Sequence, residues 1–96
     1  MVIWVLYDIE KDKSRNRVAK ACKQAGLYRV QYSCFLGTLT ADQKDVLQLQ
    51  IEELIDVEKD KVYIFRMNRD QLKDCRMLGQ AFDQKLITDE VKSLFF

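Results

Sequence analysis

A carboxylate at the end of an apolar run is the feature of this sequence most suited to chemistry. Residues 2–7 are β-branched, aromatic or aliphatic, as in a buried strand, and the run stops at Asp8. A carboxylate in that position costs free energy unless a cation or hydrogen-bond donors satisfy it, and its hard oxygens suit Mg²⁺ or Mn²⁺. Asp8 is therefore predicted to bind a metal and to be catalytic. A helix cap or a salt bridge to Arg15 or Arg17 is the alternative.

Three arginines accompany this carboxylate. Arg15 and Arg17 follow the apolar run, and Arg29 begins the next strand-like segment. Guanidinium groups bind phosphate oxygens in pairs, so these side chains are candidate nucleic-acid ligands, with ordinary surface solvation as the alternative. The chain has no histidine, which removes the commonest general base. Any catalysis must therefore use carboxylate, metal, arginine or hydroxyl groups.

A single carboxylate favours a site built from two copies of the chain. Magnesium generally needs more than one protein ligand or a substrate phosphate. A two-fold axis beside the strand end would bring two copies of Asp8 to one metal. A metal held in that way would activate water for in-line attack on a phosphodiester, and arginines would stabilise the charge of the transition state.

The strand-like segment after Gly26 supplies two further candidates. Its alternation places Tyr32 and Phe35 on opposite faces, with Phe35 on the side of Arg29 and Ser33. Either ring could lie in the core, and Tyr32 is the preferred one. Phe35 could instead stack on a nucleic-acid base or fill a dimer interface. Ser33 is a candidate donor to a phosphate, with an ordinary strand serine as the alternative.

Charge is unevenly distributed along the chain. The net charge is +1, but residues 1–37 carry +4, residues 38–60 carry −5 and residues 61–96 carry +2. A basic patch can therefore exist on a nearly neutral molecule, as a nucleic-acid partner requires.

Length and cysteine usage bound the class of protein. The 96 residues suit one domain spanning the whole chain. The 3 cysteines form no CxxC pair, which favours buried thiols in a reducing, cytoplasmic setting over zinc or disulfides. No apolar run approaches the length of a membrane span, and a signal peptide is not expected, so no membrane partner is predicted.

The periodicity predicts strand, helix, strand, helix and strand in that order. The first helix is predicted to be capped by Asp12 or Ser14 and to end at Gly26. Residues 28–39 are predicted to form two short strands or one kinked strand, with a bend, bulge or hairpin at Gly37. Thr40 opens a capping box for the second helix. That helix has a predicted buried face of Val46, Leu47, Ile51, Leu54 and Ile55.

The last third of the chain is predicted to contain two strands. Residues 61–67 alternate as a strand, with Val62 and Ile64 on one face and Tyr63 and Phe65 on the other. Residues 68–74 are polar and predicted to form a loop, and residues 75–78 to form a short final strand. The apolar terminus 91–96 is expected to cover its own core, a second copy or another protein.

This order of elements predicts an α+β fold. The best fit is a ferredoxin-like βαββαβ sandwich with a short extra C-terminal strand and helices on one face of the sheet. The rival is a small parallel βαβ sheet. That rival requires a glycine-rich turn after the first strand, and residues 10–17 contain no glycine.

Three segments resemble the CRISPR-associated endoribonuclease family, the smaller of the two core proteins of CRISPR spacer acquisition. They are Val-Leu-Tyr-Asp-Ile at residues 5–9, Lys-Ser-Arg-Asn-Arg-Val-Ala-Lys at 13–20, and Gly-Leu-Tyr-Arg-Val-Gln-Tyr-Ser-Cys-Phe-Leu-Gly at 26–37. Residues 60–65 are similar to a later strand of that family. The resemblance covers roughly residues 2–67.

The resemblance implies a ferredoxin-like homodimer. It implies that the Asp8 pair holds a divalent metal, Mg²⁺ or Mn²⁺, at the dimer interface. It also implies roles in nuclease function for Arg15, Arg17, Arg29 and Phe35. Residues 75–96 would pair with the sheet of the partner subunit or dock a partner protein.

The implied activity is metal-dependent cleavage of single-stranded RNA or double-stranded DNA, and the implied partner is the CRISPR integrase subunit. A second hypothesis follows from the same resemblance. It makes the dimer a non-catalytic scaffold that holds DNA and the integrase in register, with Asp8 no longer used for catalysis.

Overall fold

The computed structural model describes residues 1–79, which form one four-stranded sheet and three helices. The elements in chain order are β1 (Val2–Asp8), α1 (Asp12–Gln24), β2 (Tyr28–Gln31), β3 (Cys34–Thr38), α2 (Ala41–Leu54), β4 (Lys61–Met67) and α3 (Arg69–Asp74).

The sheet has the strand order β2-β3-β1-β4, and every pairing is antiparallel. The strand β1 is central, with β3 on one side and β4 on the other. The strands β1 and β2 are joined through α1 and separated in space by β3, which is the split βαβ arrangement. The ferredoxin-like prediction is confirmed, and the parallel rival is wrong because no parallel pair occurs among residues 1–79.

One face of the sheet, called here the helix face, carries the main core. Alternate residues of β1, namely Ile3, Val5 and Tyr7, point to this face and pack against α1 and α2. The helices contribute Val18, Ala19, Ala21, Cys22, Leu47 and Ile51. The helices are held on the sheet mainly by the removal of this apolar surface from water.

The opposite face of the sheet, called here the outer face, carries a smaller core. Val2, Leu36 and Leu72 are buried there, and Trp4 and Met67 are partly buried beside them. Leu72 belongs to α3, so this short helix covers one end of the outer face. The rest of the outer face has no helix over it among residues 1–79.

Two of the predicted helix boundaries are confirmed. Gly26 adopts a φ of 98° just after α1, a conformation that favours glycine. The Thr40 side chain accepts from the Gln43 backbone N–H at 3.1 Å while the Gln43 side chain accepts from the Thr40 N–H at 2.9 Å, which completes the capping box. The predicted cap of α1 is wrong. The N-cap is Lys11, it makes no side-chain capping bond, and Asp12 lies in the first turn.

The hairpin turn lies at Tyr32 and Ser33 rather than at Gly37. Gly37 lies inside β3, where a Cβ atom would come within 2.9 Å of the Leu27 side chain and 3.2 Å of the Leu27 Cα. The glycine is therefore needed for the close approach of the Leu27 segment and does not bend the strand.

The segment after β4 also differs from its prediction. Residues 68–74 form α3, capped by Asn68, because one buried leucine and a complete capping box suffice for a short helix. Residues 75–78 form no strand, and the Cys75 N–H donates to Leu72 O instead. Val46, predicted in the core, is 54% exposed. The terminus 91–96 and most of the predicted pairing segment lie outside the described residues.

Strand β4 matches its prediction in both bounds and facing. Val62 and Ile64 pack against the main core, and Tyr63 and Phe65 lie on the outer face. Among residues 1–79, no helix is long and apolar enough to cross a membrane.

Candidate functional site at the end of the central strand

Asp8 is the last residue of β1, and its side chain lies on the outer face of the sheet. The alternation along the strand puts it on the same side as Trp4 and Leu6, and its Cα partner on β4 is Lys61. The carboxylate is exposed, and it makes no hydrogen bond or ion pair within residues 1–79. It therefore neither caps α1 nor pairs with Arg15 or Arg17. Its oxygens are free to accept a ligand.

Arg15 is engaged by its own neighbourhood. One terminal nitrogen donates to Ile9 O at 3.2 Å, and the other forms a hydrogen-bonded ion pair with Asp12. The side chain ties the first turn of α1 to the residue that follows Asp8. Arg15 thus fixes the β1–α1 loop as well as adding positive charge near the strand end.

Arg29 is held between two aromatic rings on the helix face. Its guanidinium carbon lies 5.1 Å from the ring centre of Phe35 and 5.7 Å from that of Tyr32, distances at which a cation is attracted to a ring face. Its Nε is buried and has no hydrogen-bond partner within the described part of the chain. Buried polar atoms are nearly always hydrogen-bonded, so the unpaired Nε–H of Arg29 is an exception. It remains able to donate a hydrogen bond.

Tyr7 is a member of this cluster that sequence reasoning missed. Its hydroxyl donates to Tyr32 O at 3.1 Å, and its backbone N–H donates to Ser33 O at 3.0 Å. Burial raises the pKa of the Tyr7 phenol above its usual value, and a hydrogen bond and the positive charge of Arg29 partly oppose that shift. Only its place next to Asp8 could have suggested it.

The preference for Tyr32 over Phe35 as the core residue is wrong. Phe35 is fully buried and stacks on Tyr7 with ring centres 6.3 Å apart, whereas Tyr32 is 74% exposed. The alternation predicted from the sequence is itself correct, since Phe35 pairs with Arg29 on one face while Val30 and Cys34 lie on the other. The face of Arg29 and Phe35 is, however, the one that α1 and α2 cover, and Tyr32 lies in the turn. Phe35 cannot stack on a base or fill a dimer interface from this position. Its role is to support Arg29 and Tyr7.

Ser33 and Arg17 lie in two different parts of the structure, the hairpin turn and helix α1. Ser33 is half-buried in the hairpin turn, where its carbonyl accepts from Tyr7. Arg17 is exposed on α1 and lines a shallow groove toward α2 together with Lys20 and Glu53. The structure therefore separates the predicted residues, with Asp8 on the outer face and Arg29 on the helix face.

The donor chemistry of Asp8 fits Mg²⁺, but the number of donors in one chain is low. Within residues 1–79 there is no group of three or more side chains that could together hold a metal ion. A metal at Asp8 would need ligands from a second copy, from water or from a substrate phosphate.

The outer face around Asp8 exposes aromatic surface. Tyr63 is 61% and Phe65 is 40% exposed, and the Phe65 ring stacks on Trp4 with centres 6.3 Å apart. Exposed apolar patches of this kind mark interaction surfaces. Asp8 lies at one end of this surface, since it shares a face with Trp4.

Comparison with known proteins adds a decisive observation. The family described as CRISPR associated protein Cas2 matches residues 1–75. This chain belongs to the Cas2 family. The predicted family membership is thereby confirmed, and the match takes in every element from β1 to α3.

Two Cas2 relatives and one Cas2 structure illustrate the likeness. "CRISPR-associated endoribonuclease Cas2 2" of Chloroflexus aurantiacus is 37% identical over 79 residues, which is 82% of this chain and 93% of the relative. "CRISPR-associated endoribonuclease Cas2 1" of Archaeoglobus fulgidus is 41% identical over 64 residues, covering 67% and 68%. The crystal structure of Streptococcus pyogenes Cas2 superposes with a TM-score of 0.69 at 24% identity, covering 82% of this chain and 100% of that one, and supports the fold alone.

Proposed function

We propose that this Cas2 chain is a metal-dependent endonuclease of CRISPR adaptation that hydrolyses phosphodiester bonds of RNA or DNA. The observation that carries the proposal is the exposed, unpaired carboxylate of Asp8 at the end of the central strand. The names of the two relatives, both endoribonucleases, support the nuclease class and favour RNA as the first substrate to test.

The proposed active unit is a homodimer formed through the outer face. Contact through Tyr63 and Phe65 would cover the exposed aromatic surface of both copies. Because a two-fold interface repeats the same contacts in both directions, the two copies of Asp8 would approach each other at its edge. Together they would offer two carboxylates to one Mg²⁺ or Mn²⁺.

The side chains of this chain divide the remaining work. A bound divalent metal supplies Lewis-acid polarisation of the phosphate and activation of water. Asp8 holds it. Arg29 is held by Phe35 and Tyr32 on the face of the sheet opposite Asp8, so it would add positive charge to the molecule without contacting the metal or the reacting phosphate. Arg17, exposed on α1, contacts the nucleic-acid backbone.

Cleavage assays on Asp8→Asn test this proposal. Labelled single-stranded RNA and duplex DNA are incubated with the wild type and the variant in Mg²⁺, Mn²⁺ or EDTA. We expect metal-dependent cleavage by the wild type and a loss of about a hundredfold or more in the variant, since several kcal/mol of transition-state stabilisation are removed.

The matched control is Asp45→Asn, which removes an exposed carboxylate from α2. It should cleave like the wild type. Size-exclusion chromatography checks that both variants keep the oligomeric state of the wild type. Equal cleavage by Asp8→Asn and the wild type would refute the catalytic assignment of Asp8.

A scaffold that binds DNA and the CRISPR integrase is the second candidate. It is favoured by the absence of a three-ligand cluster within residues 1–79. On this hypothesis, Asp8→Asn leaves spacer acquisition in cells intact, while the double change Arg17→Glu with Lys20→Glu, or removal of residues 75–96, abolishes it. Under the nuclease hypothesis a requirement for catalysis would make Asp8→Asn fail in the same assay.

A further inference from the structure

The carboxylate of Asp60 joins two loops that are far apart in sequence. Its Oδ1 accepts from the Glu10 backbone N–H at 3.1 Å, and its Oδ2 accepts from the Asp56 backbone N–H at 2.9 Å. Glu10 lies in the loop between β1 and α1, and Asp56 lies in the turn between α2 and β4. A single side chain thus bonds to both connections at this end of the sheet.

The loop bonded by Asp60 is the one that carries the chain away from Asp8. Asp60 directly precedes Lys61, the β4 partner of Asp8, so the bond to Glu10 continues the β1–β4 pairing beyond the last strand residue. On the other side of the same loop, Arg15 donates to Ile9 O. The Ile9 carbonyl and the Glu10 N–H, the first backbone groups after Asp8 to make such contacts, are therefore each hydrogen-bonded to a side chain.

The charge state of Asp60 suits this role. The backbone N–H groups of Asp56 and Glu10 lower the pKa of the Asp60 carboxyl, with help from the charges of Lys11 and Lys59. Both oxygens are therefore acceptors at neutral pH. An asparagine in this position would have one acceptor oxygen and would satisfy only one of the two loops.

We propose that Asp60 is a positioning residue that holds the β1–α1 loop so that the Asp8 carboxylate meets the metal in one fixed geometry. The inference rests on the proposed function, since it assigns Asp60 to the same metal site. Removal of a residue that orients a metal ligand without binding the metal itself typically lowers metal affinity or activity by 10- to 100-fold. Asp60 does so through the backbone, because no contact links its carboxylate to that of Asp8.

Metal binding and cleavage by three variants of the full chain test the inference. Asp60→Ala removes both bonds, and Asp60→Asn keeps one. Asp56→Asn is the matched control, because it removes a carboxylate from the same turn whose Oδ1 accepts only from the nearby Glu58 N–H at 3.0 Å. Mn²⁺ binding is measured by electron paramagnetic resonance, and RNA cleavage is measured against Mg²⁺ concentration.

We expect Asp60→Ala to raise the Mn²⁺ dissociation constant and the half-saturating Mg²⁺ concentration by about tenfold, with KM for RNA unchanged. Asp60→Asn should fall between Asp60→Ala and the wild type, and Asp56→Asn should match the wild type. A residue that only stabilised the fold would lower the melting temperature without this split between metal dependence and KM.

The outcomes separate this inference from the proposed function. If the wild type binds Mn²⁺ but cleaves neither RNA nor DNA, the nuclease proposal fails, and weaker Mn²⁺ binding by Asp60→Ala still supports the positioning role. If Asp60→Ala and Asp56→Asn bind Mn²⁺ equally well, the inference is wrong whatever the cleavage result. If the wild type binds no Mn²⁺ with or without RNA and shows no metal-dependent cleavage, both proposals are refuted.

Discussion

At the level of single residues, the arrangement around Tyr7 shows how burial and charge act together. Tyr7, Phe35 and Arg29 form a stacked group on the helix face, and Cys22 of α1 lies close enough to interact electrostatically with Tyr7 and Arg29. Packing excludes water from the phenol and the thiol, so their ionised forms are disfavoured. The guanidinium partly offsets that effect and is itself held by the rings.

The buried thiol of Cys22 predicts a loss of stability in alkali. Burial raises the pKa of Cys22 to about 12 from the usual 9.0. Between these values the unfolded thiol is ionised while the folded thiol keeps its proton, so the unfolded state binds fewer protons. The free energy of unfolding should therefore fall as the pH rises above 9, by about 1.4 kcal/mol per pH unit from this thiol.

Urea unfolding at several pH values between 8 and 11 measures this dependence, with circular dichroism as the readout. Cys22→Ala should have a shallower slope than the wild type, whatever its absolute stability. The thiol of Cys34, whose pKa burial raises to about 11, contributes a slope that the variant retains. Parallel slopes for the two proteins would contradict the assignment to Cys22.

The sequence identified Asp8 at the end of one strand and Arg29 near the start of the next, because a strand boundary and a helix-ending glycine are local signals. It could not identify Asp60. The bonds from Asp60 to Glu10 and Asp56 depend on how β4 aligns with β1, and register between strands 50 residues apart in sequence has no local signal. The partners of Arg15 and Arg29 are by contrast within six residues of them in sequence, and these contacts depend on the conformation of the β1–α1 loop and of the β2–β3 hairpin.

At the level of elements, the position of one turn decides which aromatic side chain is buried. The β2–β3 hairpin turns at Tyr32 and Ser33, so Tyr32 is exposed in the turn, whereas Phe35 in β3 shares the helix face with its β2 partner Arg29. The alternation counted from the sequence is correct in β2, β3 and β4, but it does not say which face of the sheet the helices cover. The polar residues on the face of Arg29 made that face resemble the solvent side, although it is the one that packs against α1 and α2.

Substitution of these two aromatic residues gives opposite results in a stability test. Phe35→Ala should lower the free energy of unfolding by about 3–5 kcal/mol, because it empties a fully buried ring site. Tyr32→Ala should change it by less than about 1 kcal/mol, because the ring is exposed and contributes mainly its contact with Arg29.

Equilibrium unfolding in urea measures both variants. A large loss for Tyr32→Ala with a small one for Phe35→Ala would contradict the facing described for the hairpin. The stability measurement is also needed to interpret any loss of activity in a Phe35 variant. Because Phe35 is buried, such a loss would follow from unfolding and not from a lost contact with nucleic acid.

Helix prediction succeeded where capping chemistry was complete and failed where it was not. The Thr40 box and Gly26 are specific signals and marked their boundaries correctly. Lys11 caps α1 without a side-chain bond, so no residue type marks that start. The helix α3 has a capping box at Asn68 but only one buried side chain, Leu72, which is too few for a periodic pattern.

At the level of the whole molecule, the two faces of the sheet differ in what covers them. The helix face is closed by α1 and α2, whereas the outer face has α3 at one end and exposed aromatic side chains elsewhere among residues 1–79. This asymmetry is the physical basis for the proposed dimer, because a second copy would bury surface that one copy leaves in water.

Replacing the exposed aromatic side chains of β4 should weaken the dimer. The double change Tyr63→Ser with Phe65→Ser removes apolar area from the outer face while leaving the main core intact. We expect the dimer dissociation constant to rise by at least about tenfold, since burial of each ring contributes on the order of 1 kcal/mol or more. Analytical ultracentrifugation over a range of concentrations measures it.

Val57→Ser is the control for this experiment, because Val57 is 72% exposed but lies in the turn after α2. It should associate like the wild type. A wild type that stays monomeric at high concentration, or a double variant that associates equally well, would show that the outer face is not the dimer interface.

The alternation of β1 has a consequence for how this chain can change during descent. Tyr7 and Asp8 are neighbours in sequence but point to opposite faces of the sheet, so the group around Arg29 and the carboxylate belong to separate environments. A substitution at Asp8 leaves the packing of Arg29, Phe35 and Tyr7 untouched. Under the proposed function, a lineage could therefore lose cleavage by a change at Asp8, or regain it, without rebuilding the fold.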